Sequence, residues 1–150
     1  MIKLVADSSC DVHTLGDIPF SAVPLTISTD DGQSFVDDAQ LDIPRLLSQL
    51  REHKGRSYTA CPSVSAWIDS FGKADTVYAV PITSALSGTY NSARVAADMY
   101  QQDHRRASVH VFDSLSTGPE ILLILEKLEE LTAQGLDFDQ VVAAVEAYQK

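Results

Sequence analysis

The stretch Pro81-Ile82-Thr83-Ser84-Ala85-Leu86-Ser87-Gly88-Thr89-Tyr90 sets four hydroxyls and one glycine between an apolar run and an Ala-rich helical segment. A hydroxyl-rich loop opening a helix presents unpaired backbone N–H groups, a positive dipole end and side-chain donors. Such a loop cradles an anion. It contains no Lys or Arg, so it suits a singly charged carboxylate better than a polyphosphate. The competing reading is structural, with Ser87 acting as a helix cap and nothing more.

Three polar loops follow apolar, strand-like runs: Asp7-Ser8-Ser9, Thr83 to Thr89 and Asp113-Ser114. A fourth, Thr59 to Ser63, precedes a helical segment and can reach the same edge. Ligands of open parallel sheets bind beyond the carboxyl ends of the strands, so four such loops on one rim point to a shared polar site.

Rival chemistries fail on their motifs. The chain has no GxxxxGK[ST] sequence and no GxGxxG after its first strand, which removes the usual nucleotide cradles. Ser84 and Ser87 lack the GxSxG elbow, and His13, His53, His104 and His110 fall on other elements. His110 reads as a packed strand residue, and His104 with Arg105 as a solvated helix end. Asp7 reads as a loop-ordering carboxylate rather than a metal ligand, Trp67 as core, and Cys61 as a small buried side chain before a proline. Cys10 and Cys61 have no CxxC spacing. No catalytic residue, metal site or cofactor is assigned.

Composition narrows the partners. The chain has 150 residues, 45% apolar and 21% charged, with 11 basic against 21 acidic residues and a net charge of −10. That sign repels nucleic acid and anionic membrane surfaces. The longest apolar run, Ile121 to Leu125, cannot span a bilayer. Met1 to Ala6 reads as a strand rather than a leader, and the expectation is a cytoplasmic protein with reduced thiols.

The elements that position these loops follow from periodicity. Ile2–Ala6, Thr76–Ile82 and Ser108–Phe112 read as strands, and Ala22–Ile27 as one extended segment interrupted by Pro24. Ile43, Leu46, Leu47 and Leu50 share a helical face, with Asp42 as N-cap, Pro44 in the first turn and Gly55 as the stop. Val64, Trp67, Ile68 and Phe71 repeat the spacing behind Ser63. Tyr90, Ala93, Ala97 and Tyr100 mark a third helix. Ile121, Leu125, Leu128 and Thr132 mark a fourth that Gly135 stops, and Phe138 to Tyr148 a last one entered through Asp137 or Asp139. Strands alternating with helices predict an α/β fold, a three-layer α/β/α sandwich on a mainly parallel sheet of about four strands.

Five pieces in order resemble the DegV family of bacterial fatty-acid-binding proteins. They are Asp7-Ser8-Ser9-Cys10-Asp11, Val23-Pro24-Leu25, Thr59-Ala60-Cys61-Pro62-Ser63, Leu86-Ser87-Gly88-Thr89-Tyr90-Asn91-Ser92-Ala93 and Val111-Phe112-Asp113-Ser114. The fourth is the specific one. The resemblance implies two α/β domains with a long-chain, palmitate-like fatty acid between them. It implies that Thr59 and Ser87 hold the carboxylate, supported by Ser9, Ser63, Ser84, Gly88 and Thr89. It implies a non-catalytic carrier that presents its lipid to a fatty acid kinase.

Two departures stand out. The family's TSQP reads Thr59-Ala60-Cys61-Pro62, which removes two side-chain donors. Residues 1–150 correspond to the first domain, so weak or absent lipid binding by these residues alone is expected. Two other readings are carried forward. One is a phosphotransfer enzyme using the hydroxyl rim with Asp7 or Asp113, and the other an assembly domain without a ligand.

Overall fold

Strand residues alternating between two buried faces build the central sheet of the computed structural model, which describes residues 1–150. In chain order the strands are β1 (Ile2–Asp7), β2 (Phe20–Val23), β3 (Thr26–Thr29), β4 (Ser34–Val36), β5 (Ser57–Ala60), β6 (Thr76–Val80) and β7 (Ser108–Val111). The helices are α1 (Ile43–Glu52), α2 (Val64–Phe71), α3 (Thr89–Asp103), α4 (Pro119–Ala133) and α5 (Phe138–Tyr148). β2, β1, β6 and β7 stand side by side in that order, all parallel.

Each face has its own core. Leu4, Ala6, Tyr78 and Val80 pack under α4 and α5 through Ile121, Leu125, Leu128, Val141 and Val145. Val5, Val77, Ala79 and Val111 pack under α2 and α3 through Trp67, Phe71, Ala93, Ala97 and Tyr100. Period-2 alternation feeds both cores because helices cover both sides. Small Ala93, Ala96 and Ala97 let α3 approach closely, and the Phe71 and Tyr100 rings meet edge to face at 5.5 Å. The expected three-layer α/β/α arrangement is what forms.

Local chemistry sets the helix ends. Asp42, Ser63 and Asp137 each accept an amide hydrogen bond from the first turn of their helix. Gly135, at φ +74°, ends α4 in the left-handed region where glycine is favoured. Gly55 does not stop α1, whose cap is His53 two residues earlier. Gly55 instead gives the Asp30 carboxylate room that a Cβ would fill.

Two expectations need correction. Ala22–Ile27 is not one segment, because β2 and β3 lie in different sheets on either side of Pro24-Leu25. Thr59 is not in a loop. It lies on β5, which pairs antiparallel with β3 beside β4 in a second, three-stranded sheet. That sheet is thinly covered: every residue of β5 is exposed, and Leu46 is the buried residue of α1.

Candidate functional site

β6 ends at Val80, and the chain crosses the sheet rim through Pro81–Gly88 before α3 begins. The helix cap is Gly88, with no side-chain hydrogen bond, so Ser87 is not the N-cap. Ser87 sits one residue earlier. Its Oγ accepts the Thr89 amide at 3.2 Å and lies 2.8 Å from the Thr89 hydroxyl. Thr89 is fully buried, whereas Ser87 is half-buried. Beyond Thr89, the first-turn amides of α3 have no partner within the helix and add donors beside that hydroxyl.

Thr59 approaches from the second sheet. Its register partner on β3 is Ile27, which in turn faces Phe35 on β4. Paired residues project to the same side of a sheet, so Thr59 ends an otherwise apolar row. The turn that follows brings this strand to the Ser87 loop. A Cβ built on Gly88 would lie 3.8 Å from the Cys61 Sγ. Cys61 is exposed there, not buried as its position before Pro62 suggests; Pro62 itself is buried. Thr59 is therefore two residues from a side chain that meets the residue following Ser87. Both cysteines are free, and burial pushes the Cys10 thiol up to about 11.

The supporting hydroxyls are largely committed elsewhere. Ser63 accepts the Ala66 amide at 3.2 Å as the cap of α2. Ser9 donates its hydroxyl to Asp7. The Ser84 hydroxyl goes to Asp113. Ser63, Ser9 and Ser84 thus shape the rim, and Ser8, whose Oγ accepts the Leu25 amide at 3.0 Å, ties the end of β1 to the link between the two sheets.

Asp7 orders its own loop through Ser9, as expected, and both Asp7 and Asp113 also reach across to the loop after β6, which the sequence reading did not foresee. Asp7 is fully buried and accepts the amides of Ser9 at 3.0 Å and Ile82 at 2.7 Å. Burial raises its carboxyl above the ordinary range against the pull of those bonds, and Asp37 adds to the rise. Asp113 accepts the Ser84 amide at 3.0 Å and the Leu115 amide at 3.3 Å. Partial burial pulls its carboxyl upward, but hydrogen bonds from Ser84, Leu115 and Thr83 outweigh that and hold it below the ordinary range. Both carboxylates are thus engaged in holding the rim loops. A strand-terminal Asp followed by Ser, seen at both places, is the signal that could have marked them.

A groove of about 590 Å³ lies at the β7 edge between α3 and α5, lined by Arg94, Asp98, His110 and Glu146 among others. It contains none of the candidate hydroxyls. No helix is long and apolar enough to cross a membrane.

A family model described as "Uncharacterised protein, DegV family" matches residues 1–150. This chain belongs to the DegV family. A DegV domain-containing protein of Streptococcus pneumoniae is 43% identical over 99% of the chain and 54% of the relative. Among solved structures, a DegV family protein from Eubacterium eligens loaded with heptadecanoic acid superposes with a TM-score of 0.96 at 50% identity, covering 99% of this chain and 54% of that one. The fatty acid kinase B3 protein of S. pneumoniae loaded with linoleic acid gives 0.94 at 43% identity, with the same coverage. The chain thus spans about half the length of these DegV relatives, and the family match agrees with the fold.

Proposed function

We propose that this chain is the first domain of a two-domain DegV protein that binds a long-chain fatty acid and presents it, without catalysis of its own, to a fatty acid kinase in the cytoplasm. Thr59 and Ser87 hold the carboxylate, with Gly88 and the first-turn amides of α3 closing around it. The observation that carries this reading is the approach of Cys61 to Gly88 across the junction of the two sheets. It puts the Thr59 strand and the Ser87 loop side by side. The fatty acids named with the E. eligens and S. pneumoniae proteins support the ligand class, and the S. pneumoniae kinase B3 name supports the partner.

The physics divides between head and tail. No cation stands in the cradle loop, so neutral donors orient the head group and the acyl chain supplies most of the affinity. Each buried methylene contributes about 0.8 kcal/mol, and a sixteen-carbon chain has roughly 10 kcal/mol available before ordering costs. The test is lipid extraction and mass spectrometry of purified protein, with Thr59→Ala and Ser87→Ala in parallel, in this chain and in the product of the complete gene. The expected result is a fatty acid that co-purifies with the complete gene product and is depleted by both changes, with little or none on this chain alone. An acyl chain retained equally by all variants would remove the hydroxyl cradle from the account.

A further inference from the structure

We propose that Asp7 and Asp113 are positioning residues of the head-group cradle, clamping the loop that carries Ser87 from the two strands flanking β6. The inference rests on the reading that Thr59 and Ser87 hold a carboxylate. β6 stands between β1 and β7. Asp7 is the last residue of β1, and Asp113 lies just past the end of β7. Each reaches sideways into the loop leaving the central strand.

The anchoring is consecutive. The Ile82 amide donates to Asp7 at 2.7 Å, the Thr83 amide to the Ser116 carbonyl at 2.9 Å and the Ser84 amide to Asp113 at 3.0 Å. The Ser84 hydroxyl donates to the second oxygen of Asp113. The next two amides turn inward, Ala85 to the Thr83 hydroxyl at 3.3 Å and Leu86 to the Thr83 carbonyl at 3.1 Å. Every amide from Ile82 to Leu86 is therefore engaged by the fold, and the donors offered to a ligand begin at Ser87. A loop pinned at two points on its rising side fixes where that offer is made.

The residue type supports a positioning role. The donors to Asp7 are all neutral, yet the carboxylate is fully buried. Such burial of a charge is unfavourable, and an amide of the same shape would avoid it. An amide, however, turns one of two acceptor oxygens into a donor and cannot hold both sides of the clamp. Asp113 likewise spends both oxygens on Ser84, and one of them also on Leu115, which stands in the left-handed region at φ 57°. The clamp thus uses carboxylates because each must accept in two directions at once.

The experiment compares two probes, palmitate and its methyl ester, which keeps the tail and lacks the charged head. Binding of both is titrated to the complete gene product carrying no change, Asp113→Asn, Asp7→Asn, Ser84→Ala, or Asp113→Asn with Ser84→Ala, and thermal unfolding is followed alongside. Asp113→Asn is expected to weaken palmitate binding about tenfold and leave the ester unchanged. Ser84→Ala should do the same to a smaller degree, and the double variant should be no worse than Asp113→Asn alone. If both probes weaken equally, Asp113 is a structural residue and the inference is overturned; unchanged palmitate binding overturns it too. Should Asp7→Asn fail to fold, the Asp113 and Ser84 variants decide. Thr59→Ala and Ser87→Ala separate the two claims. If they discriminate the probes and Asp113→Asn does not, the clamp alone fails. If they do not discriminate, the head-group reading fails and takes the clamp with it.

Discussion

The two sheets of this chain carry one candidate hydroxyl each and differ in how they hold it. Ser87 follows β6, a central strand buried on both faces and flanked by parallel neighbours. Thr59 lies on β5, an exposed edge strand paired with β3 alone. One half of the proposed cradle is bolted to the core, and the other stands on a thin sheet against it. Backbone precision at Ser87 comes from packing, whereas Thr59 depends on short antiparallel pairing and on the approach of Cys61 to Gly88.

The largest expected contrast is in stability. Trp67→Ala empties a fully buried position under the main sheet and should cost about 3–5 kcal/mol in urea unfolding. Tyr58→Ala, on the exposed second sheet, should stay within about 0.5 kcal/mol. Comparable losses would mean that the second sheet belongs to the same cooperative core. Hydrogen exchange should sharpen this further. The β1 and β6 amides should exchange only through global unfolding and those of β5 through local opening, at least about a hundredfold faster.

Much of the main sheet was legible in the sequence, because Leu4–Ala6 and Val77–Val80 are unbroken apolar runs of strand length, as strands covered on both faces must be, and Ser63, Asp42 and Asp137 announce their helices. The second sheet was not. Its strands are three or four residues long and rich in Ser and Thr, with β5 fully and β4 mostly exposed, so they carry neither an apolar run nor a turn signature strong enough to separate β2 from β3. The hydroxyl loop after β6 was legible from its residue types. The clamps on it were not, since a carboxylate reaching 75 positions along the chain, as Asp7 does to Ile82, leaves no local pattern.

A pH titration probes the bolted half. Asp113, held below the ordinary carboxylate value of about 4, contributes stability that is fully present above that value and lost as pH falls through its folded value. Asp7, raised by burial, behaves oppositely, its contribution full below about pH 4 and lost as pH rises through its elevated value. Asp113→Asn should therefore flatten the acid limb of the urea midpoint, and Asp7→Asn the decline on the neutral side. Identical profiles for both would contradict the assigned directions.

The smallest stability effect is expected where the two halves meet. Gly88 has an ordinary negative φ, and an added Cβ would sit at van der Waals distance from Cys61. Gly88→Ala should shift stability by no more than about 0.5 kcal/mol while narrowing the gap between the halves, and so weaken palmitate binding. Unaltered binding would place the head group elsewhere.

The central claim is that one carboxylate touches both halves. Palmitate labelled with carbon-13 at the carboxyl, bound to the complete gene product, reports it directly by NMR. The bound carboxyl resonance should move on Thr59→Ala and again on Ser87→Ala, and stay in place on Ser48→Ala, an exposed position on α1 outside the candidate site. A resonance indifferent to Thr59 and Ser87 would contradict the shared grip.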